Sequence, residues 1–261
     1  MSEQAPVQPV EAATVILVRE SSDASQGWEC FMVRRHVRSD FAADVFVFPG
    51  GKVDPADRDP GLLEVLSTDD GVQNDDAGGT AWFGLRVAAL RELFEEAGVI
   101  LAREMVPVGD TELLTASREL ARGNLQSGRL TMLQVAREFG WCLDITQLHP
   151  FSRWITPDTL PRRYDTYFFV ARLPADQEPL HDAIETTDSL WISPVDALRR
   201  AERGDFPLVF ATEKHLERMA RYSAIDELIV ATAPADLEAV MPRIIERHGA
   251  TAFLLPGDEG Y

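Results

Sequence analysis

Glu92, Glu95 and Glu96 stand at i, i+3 and i+4 in the stretch RELFEEAGV, which runs over residues 91–99. On a helix this spacing puts all three carboxylates on one side. Three like charges repel, and folding alone does not call for them. Hard divalent cations such as Mg²⁺ favour several carboxylate oxygens brought together. Two readings therefore compete: a metal platform, or a solvated helix face. Arg91 lies four residues before Glu95. In solvent such a pair would be worth only about 0.2–0.5 kcal/mol.

The residues around the glutamates predict the element that carries them. Leu85, Ala88, Ala89, Leu93 and Ala97 form a helical stripe, and Gly98 is a good stop. The expected helix covers 83–97. Upstream, FVFPGGKVD at 46–54 predicts a short strand broken by Pro-Gly-Gly. Glycines there allow a tight turn and close approach of a ligand. The apolar β-branched run at 12–20 predicts a buried strand. Turn residues at 21–27 and a second strand at 28–36 make the pair a hairpin.

Residues 1–11 are expected to form a loose arm. Residues 55–80 are rich in Asp, Gly and Pro and lack clear periodicity. TELLTASRELARG and RLTMLQVAREFG, within 103–140, predict two helices. Placed between strands, they suggest a lid or cap. SRWITP, YDTYFFVARL and LWISP predict further strands, and PVDALRRAERG a helix. The tail holds two more helical patterns, ATEKHLERMARYS and PADLEAVMPRIIERHG. The expectation is one α/β domain with a mixed sheet over 1–261, a helical insertion at 103–150 and a helical tail at 210–261.

Lys and Arg number 25 against 43 Asp and Glu, a net charge of −18. An acidic surface repels phosphate backbones, which argues against nucleic acid as a partner. A local cationic cluster or a metal can still bind a small anion. Cys30 and Cys142 are the only cysteines. They form neither a disulfide framework nor a metal knuckle, which sets the expectation of a reducing, cytoplasmic setting. No apolar stretch is long enough for a bilayer, so no membrane partner is expected. The five histidines show no ligand spacing among themselves.

The stretch from Arg91 to Val99 resembles the second half of the Nudix box, R-E-U-x-E-E-x-G-U with U aliphatic, and matches at every fixed position. Phe48, Pro49, Gly50 and Gly51 resemble its usual start. The two halves are split by an insertion at 55–82. The early box glutamate then has no single equivalent: Asp57, Asp59 and Glu64 all stand in the inserted stretch. FPGG, VDPADRD and RVAALRELFEEAGV together resemble the split-box branch of the mammalian peroxisomal coenzyme A diphosphatase. The likeness continues through RWITP, PRRYDTYFF and LWISP.

This resemblance implies a Nudix-type α/β/α sandwich with a helical insertion and a C-terminal helical extension. It also implies hydrolysis of a nucleoside diphosphate linked to a group X, assisted by Mg²⁺ or Mn²⁺. The substrate it points to is CoA or acyl-CoA. Alternatives are an ADP-ribose or NADH diphosphatase, or a Nudix-fold module that binds a nucleotide without cleaving it. By the resemblance, Gly51, Glu92, Glu95 and Glu96 hold metal, with Glu92 a ligand or the general base. Arg91 orients a box glutamate. Glu185 is the candidate for a further acid outside the box, with Asp182 and Asp188 as rivals. Arg34, Arg35, Arg162 and Arg163 are candidates for substrate phosphates, with Arg38 close by. A homodimer is an open possibility in this family.

Overall fold

A continuous apolar run with no polar alternation belongs in the middle of a sheet covered on both faces. The N-terminal run takes that place in the computed structural model. The structure describes residues 7–23, 27–36, 44–67, 79–104, 111–182, 186–232, 237–247 and 250–261. Strand β1 (Val10–Glu20) is followed by β2 (Trp28–Arg35), then by short strands β3 (Phe46–Val47) and β4 (Gly50–Lys52) on either side of Pro49. Two 3₁₀ turns, Pro55–Arg58 and Pro60–Val65, lead towards helix α1 (Gly79–Ala97).

Next come β5 (Ala102–Glu104), α2 (Thr111–Gln126), α3 (Met132–Phe139) and β6 (Trp141–Leu143). The chain then returns to the sheet with β7 (His149–Ile155), β8 (Tyr164–Arg172) and β9 (Thr186–Ile192). Helices α4 (Pro194–Glu202), α5 (Phe210–Met219) and α6 (Ile225–Val230) follow, then β10 (Ala239–Val240), β11 (Arg243–Arg247) and β12 (Ala250–Leu254).

β1 pairs in parallel with β8, from Val10 opposite Tyr164 to Val18 opposite Arg172. It pairs antiparallel with β2 and with β4. The sheet runs β10, β7, β8, β1, β2, β3, with β4 on β1 and β9 on β2, and is mixed as expected. Side chains alternate across it. Ala13, Val15 and Leu17 face a core built with α1, α3 and β6. Ile16 and Val18 face a second core with Phe151, Phe168, Phe206 and the helices α4 to α6. Helices thus cover both faces, as in an α/β/α sandwich. Among the described residues no helix is long and apolar enough to cross a membrane.

Three expectations change. β1 begins at Val10, so the arm is shorter than 1–11. The 103–150 segment is helical only in part, because β5 and β6 pair, Ala102 opposite Leu143, and tie its ends together. The C-terminal extension is not wholly helical. Within the pattern at 234–249, the described residues hold β10 and β11, and β11 pairs with β12 beyond it, Ile244 opposite Phe253. The apolar residues of that pattern have helical spacing, but a helix there would hold Pro242 in its interior. Proline lacks the needed N–H and clashes with the preceding turn. Ile244 and Ile245 are β-branched and suit a strand. α6 was not foreseen.

Candidate active site

Helix α1 packs Leu85, Ala88, Ala89, Leu93 and Ala97 into the core and leaves the box acids on its sheet-edge side. β4 lies against that side. Gly51 faces Glu92 so closely that a Cβ at Gly51 would overlap the carboxylate. A side chain there would have to displace the Glu92 carboxylate, whereas at Gly50 a Cβ would meet the backbone of Ala13 and Thr14 at 2.6 Å, so the close approach of chain to chain calls for glycine at Gly50. Glu96 is buried, and its Oε2 accepts from the N–H of Gly50 at 2.9 Å. This bond staples the start of the box to its end.

Arg91 is the hub. Its Nε donates to Asp57 Oδ1 at 2.9 Å and its Nη2 to Asp57 Oδ2 at 3.1 Å. Nη2 also donates to the Lys52 carbonyl at 2.8 Å. Nη1 lies 2.6 Å from Glu95 Oε2 and 2.9 Å from Glu92 Oε1. Of the three open candidates for the early acid, Asp57 is the one on the box arginine. It is 1% exposed, and its Oδ2 also accepts from the N–H of Asp54 at 2.8 Å. Asp54 returns a bond to the N–H of Ala56 and caps the 3₁₀ turn. Asp59 caps the next turn, and Glu64 pairs with Arg137 at 2.6 Å.

The electrostatics follow from burial and crowding. Burial pushes the Glu92 carboxyl up to about 7, with Arg91 pulling it down and the Glu95 charge pushing it up. Burial likewise pushes Asp57 up, opposed by its bonds to Arg91. Burial alone would lower Arg91. The bonds it donates to Asp57 and the charges of Glu92, Asp57 and Glu95 outweigh it and hold the guanidinium above its usual range. A cluster with more carboxylates than cations invites a further positive charge.

The donor chemistry fits a hard divalent cation: carboxylate oxygens and nearby main-chain carbonyls. Among the described residues, no three such side chains are yet gathered round one point. Glu92 and Glu95 converge on Arg91, while Glu96 turns to Gly50.

The C-terminal end of α1 is held from behind. Arg122 Nε and Gln126 Nε2, one turn apart on α2, both donate to the Glu95 carbonyl, at 3.0 and 2.7 Å. Arg122 Nη2 reaches on to the Leu180 carbonyl at 2.9 Å, and the Leu180 N–H donates to the Ala97 carbonyl at 2.9 Å. Gly98, at φ +71°, closes the helix with its N–H on the Phe94 carbonyl. Helix ends leave carbonyls without partners, and here side chains of the inserted helix supply them. These two residues had no signal in the sequence, because the contact joins segments far apart in the chain.

A cleft of about 1060 Å³ opens beside Glu92 and Glu95. Its floor is the β1–β8–β7 face, including Thr14, Thr166, Phe168 and Trp154. Arg35, His36, Lys52 and Arg162 also line it. Residues 209–212 at the start of α5, together with Pro242 and Phe253, form the opposing wall. Among the described residues, the 103–150 segment contributes nothing to the lining.

The four candidate arginines separate. Arg35 and Arg162 line the cleft. Arg34 pairs with Asp44 at 2.9 Å, its guanidinium 5.5 Å from the ring of Phe46. Arg163 is buried and donates to the carbonyls of Thr156 and Val7 at 3.0 and 2.8 Å, a structural role. Glu185 and Arg38 lie outside the described residues. Of the rivals to Glu185, Asp182 accepts from the N–H and hydroxyl of Thr186, and Asp188 accepts from the N–H of Ser189.

A helix bearing R-E-U-x-E-E beside a glycine turn, on a mixed sheet between helical layers, defines a Nudix hydrolase. The family described as the NUDT19 Nudix domain matches residues 73–210, more than half of the chain, and the chain belongs to it. The acyl-coenzyme A diphosphatase NUDT19 of Homo sapiens is 28% identical over 91% of this chain and 73% of its own length. The protein of the same name from Xenopus laevis is 26% identical over 90% of this chain and 71% of its own. Among solved structures, a NUDIX hydrolase from Alicyclobacillus acidocaldarius superposes with a TM-score of 0.63 at 26% identity, covering 85% of this chain and 96% of that one.

Proposed function

We propose that this Nudix hydrolase cleaves the diphosphate of CoA or acyl-CoA, releasing 3′,5′-ADP and 4′-phosphopantetheine or its acylated form. The observation that carries the reading is the Arg91 network opening directly onto a cleft of about 1060 Å³. Ligand pockets for drug-sized molecules span about 300–1,000 Å³, so this cleft suits a long substrate. The relatives at 26–28% identity are named acyl-coenzyme A diphosphatases, which supports the choice of X.

Glu92, Glu95, Glu96 and the Gly51 carbonyl would hold Mg²⁺ or Mn²⁺, with Glu92 acting as ligand or as general base. When bound, such a cation neutralises phosphate oxygens and helps ionise the attacking water. The chain's own residues do the positioning. Arg91 fixes Glu92 and Glu95 relative to each other, and Asp57 fixes Arg91. The Gly50–Glu96 bond sets the distance between turn and helix. Arg35 and Arg162 on the cleft wall are suited to the substrate phosphates.

The test is a product assay. Pure protein with Mg²⁺ or Mn²⁺ is given CoA, acyl-CoA, NADH and ADP-ribose, and products are identified by mass spectrometry. Formation of 3′,5′-ADP, lost in Glu95→Gln, is the expected result. Cleavage of ADP-ribose or NADH alone would overturn the CoA assignment and leave the hydrolase intact.

A further inference from the structure

We propose that the β11–β12 hairpin and the start of α5 form a subsite for the acyl chain at the end of the substrate's acyl-pantetheine half. The proposal rests on the CoA reading above and assigns the acyl end of its X group to one wall of the cleft. The cleft divides by chemistry. Its charged groups lie on β4, α1 and the ends of β2 and β8. The opposing wall presents Val209, Phe210, Pro242 and Phe253, whose side chains carry neither donor nor acceptor, beside Thr212, which is only 4% exposed. Beneath them lie Trp154 and Phe168.

The aromatic wall is already assembled. Phe210 and Phe253 stack with centroids 4.6 Å apart and planes 16° from parallel. Trp154 meets Phe210 edge-on at 6.3 Å. Phe253 remains 37% exposed in spite of this stacking. A two-stranded hairpin is marginal by itself. This one is moored by β10, which pairs with β7, and by the Tyr261 hydroxyl, which donates to the Met241 carbonyl at 2.8 Å. It belongs to a sheet of its own and adds its phenylalanine to the cleft.

A nucleobase can stack on such rings, but it also takes hydrogen bonds along its edge, and a 3′-phosphate needs cations. These four side chains offer neither. An apolar chain needs only dry contact area, which they provide. The acyl chain therefore matches the wall, the two amides and the hydroxyl of pantetheine lie towards the polar part of the cleft, and the nucleotide half matches the cationic side.

The deciding experiment uses decanoyl-pantetheine, which has neither phosphate nor nucleotide, and ADP as a separate probe. Binding of each is measured by calorimetry on the full chain and on Phe253→Ala and Phe253→Leu, with melting curves to verify folding. Decanoyl-pantetheine is expected to bind about 10-fold more weakly to Phe253→Ala, with most affinity restored by Phe253→Leu and ADP unaffected. The proposal is overturned if decanoyl-pantetheine fails to bind the unaltered chain, or binds all three alike. It is also overturned if ADP is the probe that weakens, for then the wall holds the nucleotide. Hydrolysis of decanoyl-CoA is followed in parallel. No cleavage, with binding that still follows Phe253, removes the CoA reading and keeps the subsite. Cleavage to 3′,5′-ADP with binding indifferent to Phe253 does the reverse.

Discussion

The inserted helix α2 and the C-terminal hairpin both lie outside the Nudix box, yet each meets the candidate site, and in a different way. α2 grips the end of α1 through Arg122 and Gln126 on the Glu95 carbonyl, and among the described residues it contributes none to the cleft lining. The hairpin reaches the cleft through Phe253 and presents an apolar surface there. The first arrangement fixes where the carboxylates stand. The second decides what can lie beside them. Changes behind the helix should therefore alter turnover, and changes on the wall should alter recognition.

The largest expected effect is on the frame that both regions share. Asp57→Ala removes the bidentate partner of the partly buried Arg91, which keeps Glu92 and Glu95, so the cost lies at the low end for a broken buried pair, about 3 kcal/mol. Urea unfolding should register that loss. Next, Glu95→Gln should lower kcat by about 10²–10³-fold in a product-release assay, comparable to removing one group that stabilises a transition state. The melting temperature should stay close to that of the unaltered chain.

A third prediction concerns pH and the core under the cleft wall. His215 is 2% exposed, and burial lowers its pKa to about 4. Its Nδ1–H donates to the Ala211 carbonyl, so Nε2 accepts from the Ser152 hydroxyl at 2.6 Å. The unfolded value is about 6.5, so between the two the unfolded chain binds the extra proton. The stability of the neutral, buried form is present above pH 6.5 and lost as pH falls towards 4, by about 3 kcal/mol. Urea titrations at pH 7, 5.5 and 4.5 should show this decline, and His215→Gln should flatten it.

The remaining two predictions separate back from front. Arg122→Met should lower kcat about 10–100-fold while leaving KM for CoA nearly constant, with Arg122→Lys recovering part of it. Steady-state kinetics that moved KM instead would reverse the assignment of α2. Phe253→Ala should leave kcat intact and raise KM about 10-fold for long acyl-CoA. An equal rise for ADP-ribose would erase the contrast between the two regions.

Motif and periodicity made one side of this contrast legible. The stripe on α1 and the box glutamates fixed the helix, and the apolar run at β1 marked the centre of the sheet. Asp57 stayed unresolved because counts forward from Gly51 and back from Arg91 diverge across the insertion. The local signal was in DPADRD, where Asp54 caps the turn and Asp57 answers with a bond to its backbone. That geometry turns Asp57 to Arg91, at the position where the forward count from Gly51 falls. Arg122 and Gln126 were hidden because their partner is a main-chain carbonyl on another helix. The hairpin was hidden because its apolar residues fall three and four apart, and only Pro242 spoke against a helix.

The measurement closest to the central claim is the mass of the products from decanoyl-CoA with Mg²⁺, run with and without Glu95→Gln. The account predicts 3′,5′-ADP and decanoyl-4′-phosphopantetheine from the unaltered chain and neither from the variant. Decanoyl-CoA left whole while another nucleoside diphosphate is cleaved, or equal product from the variant, would contradict it.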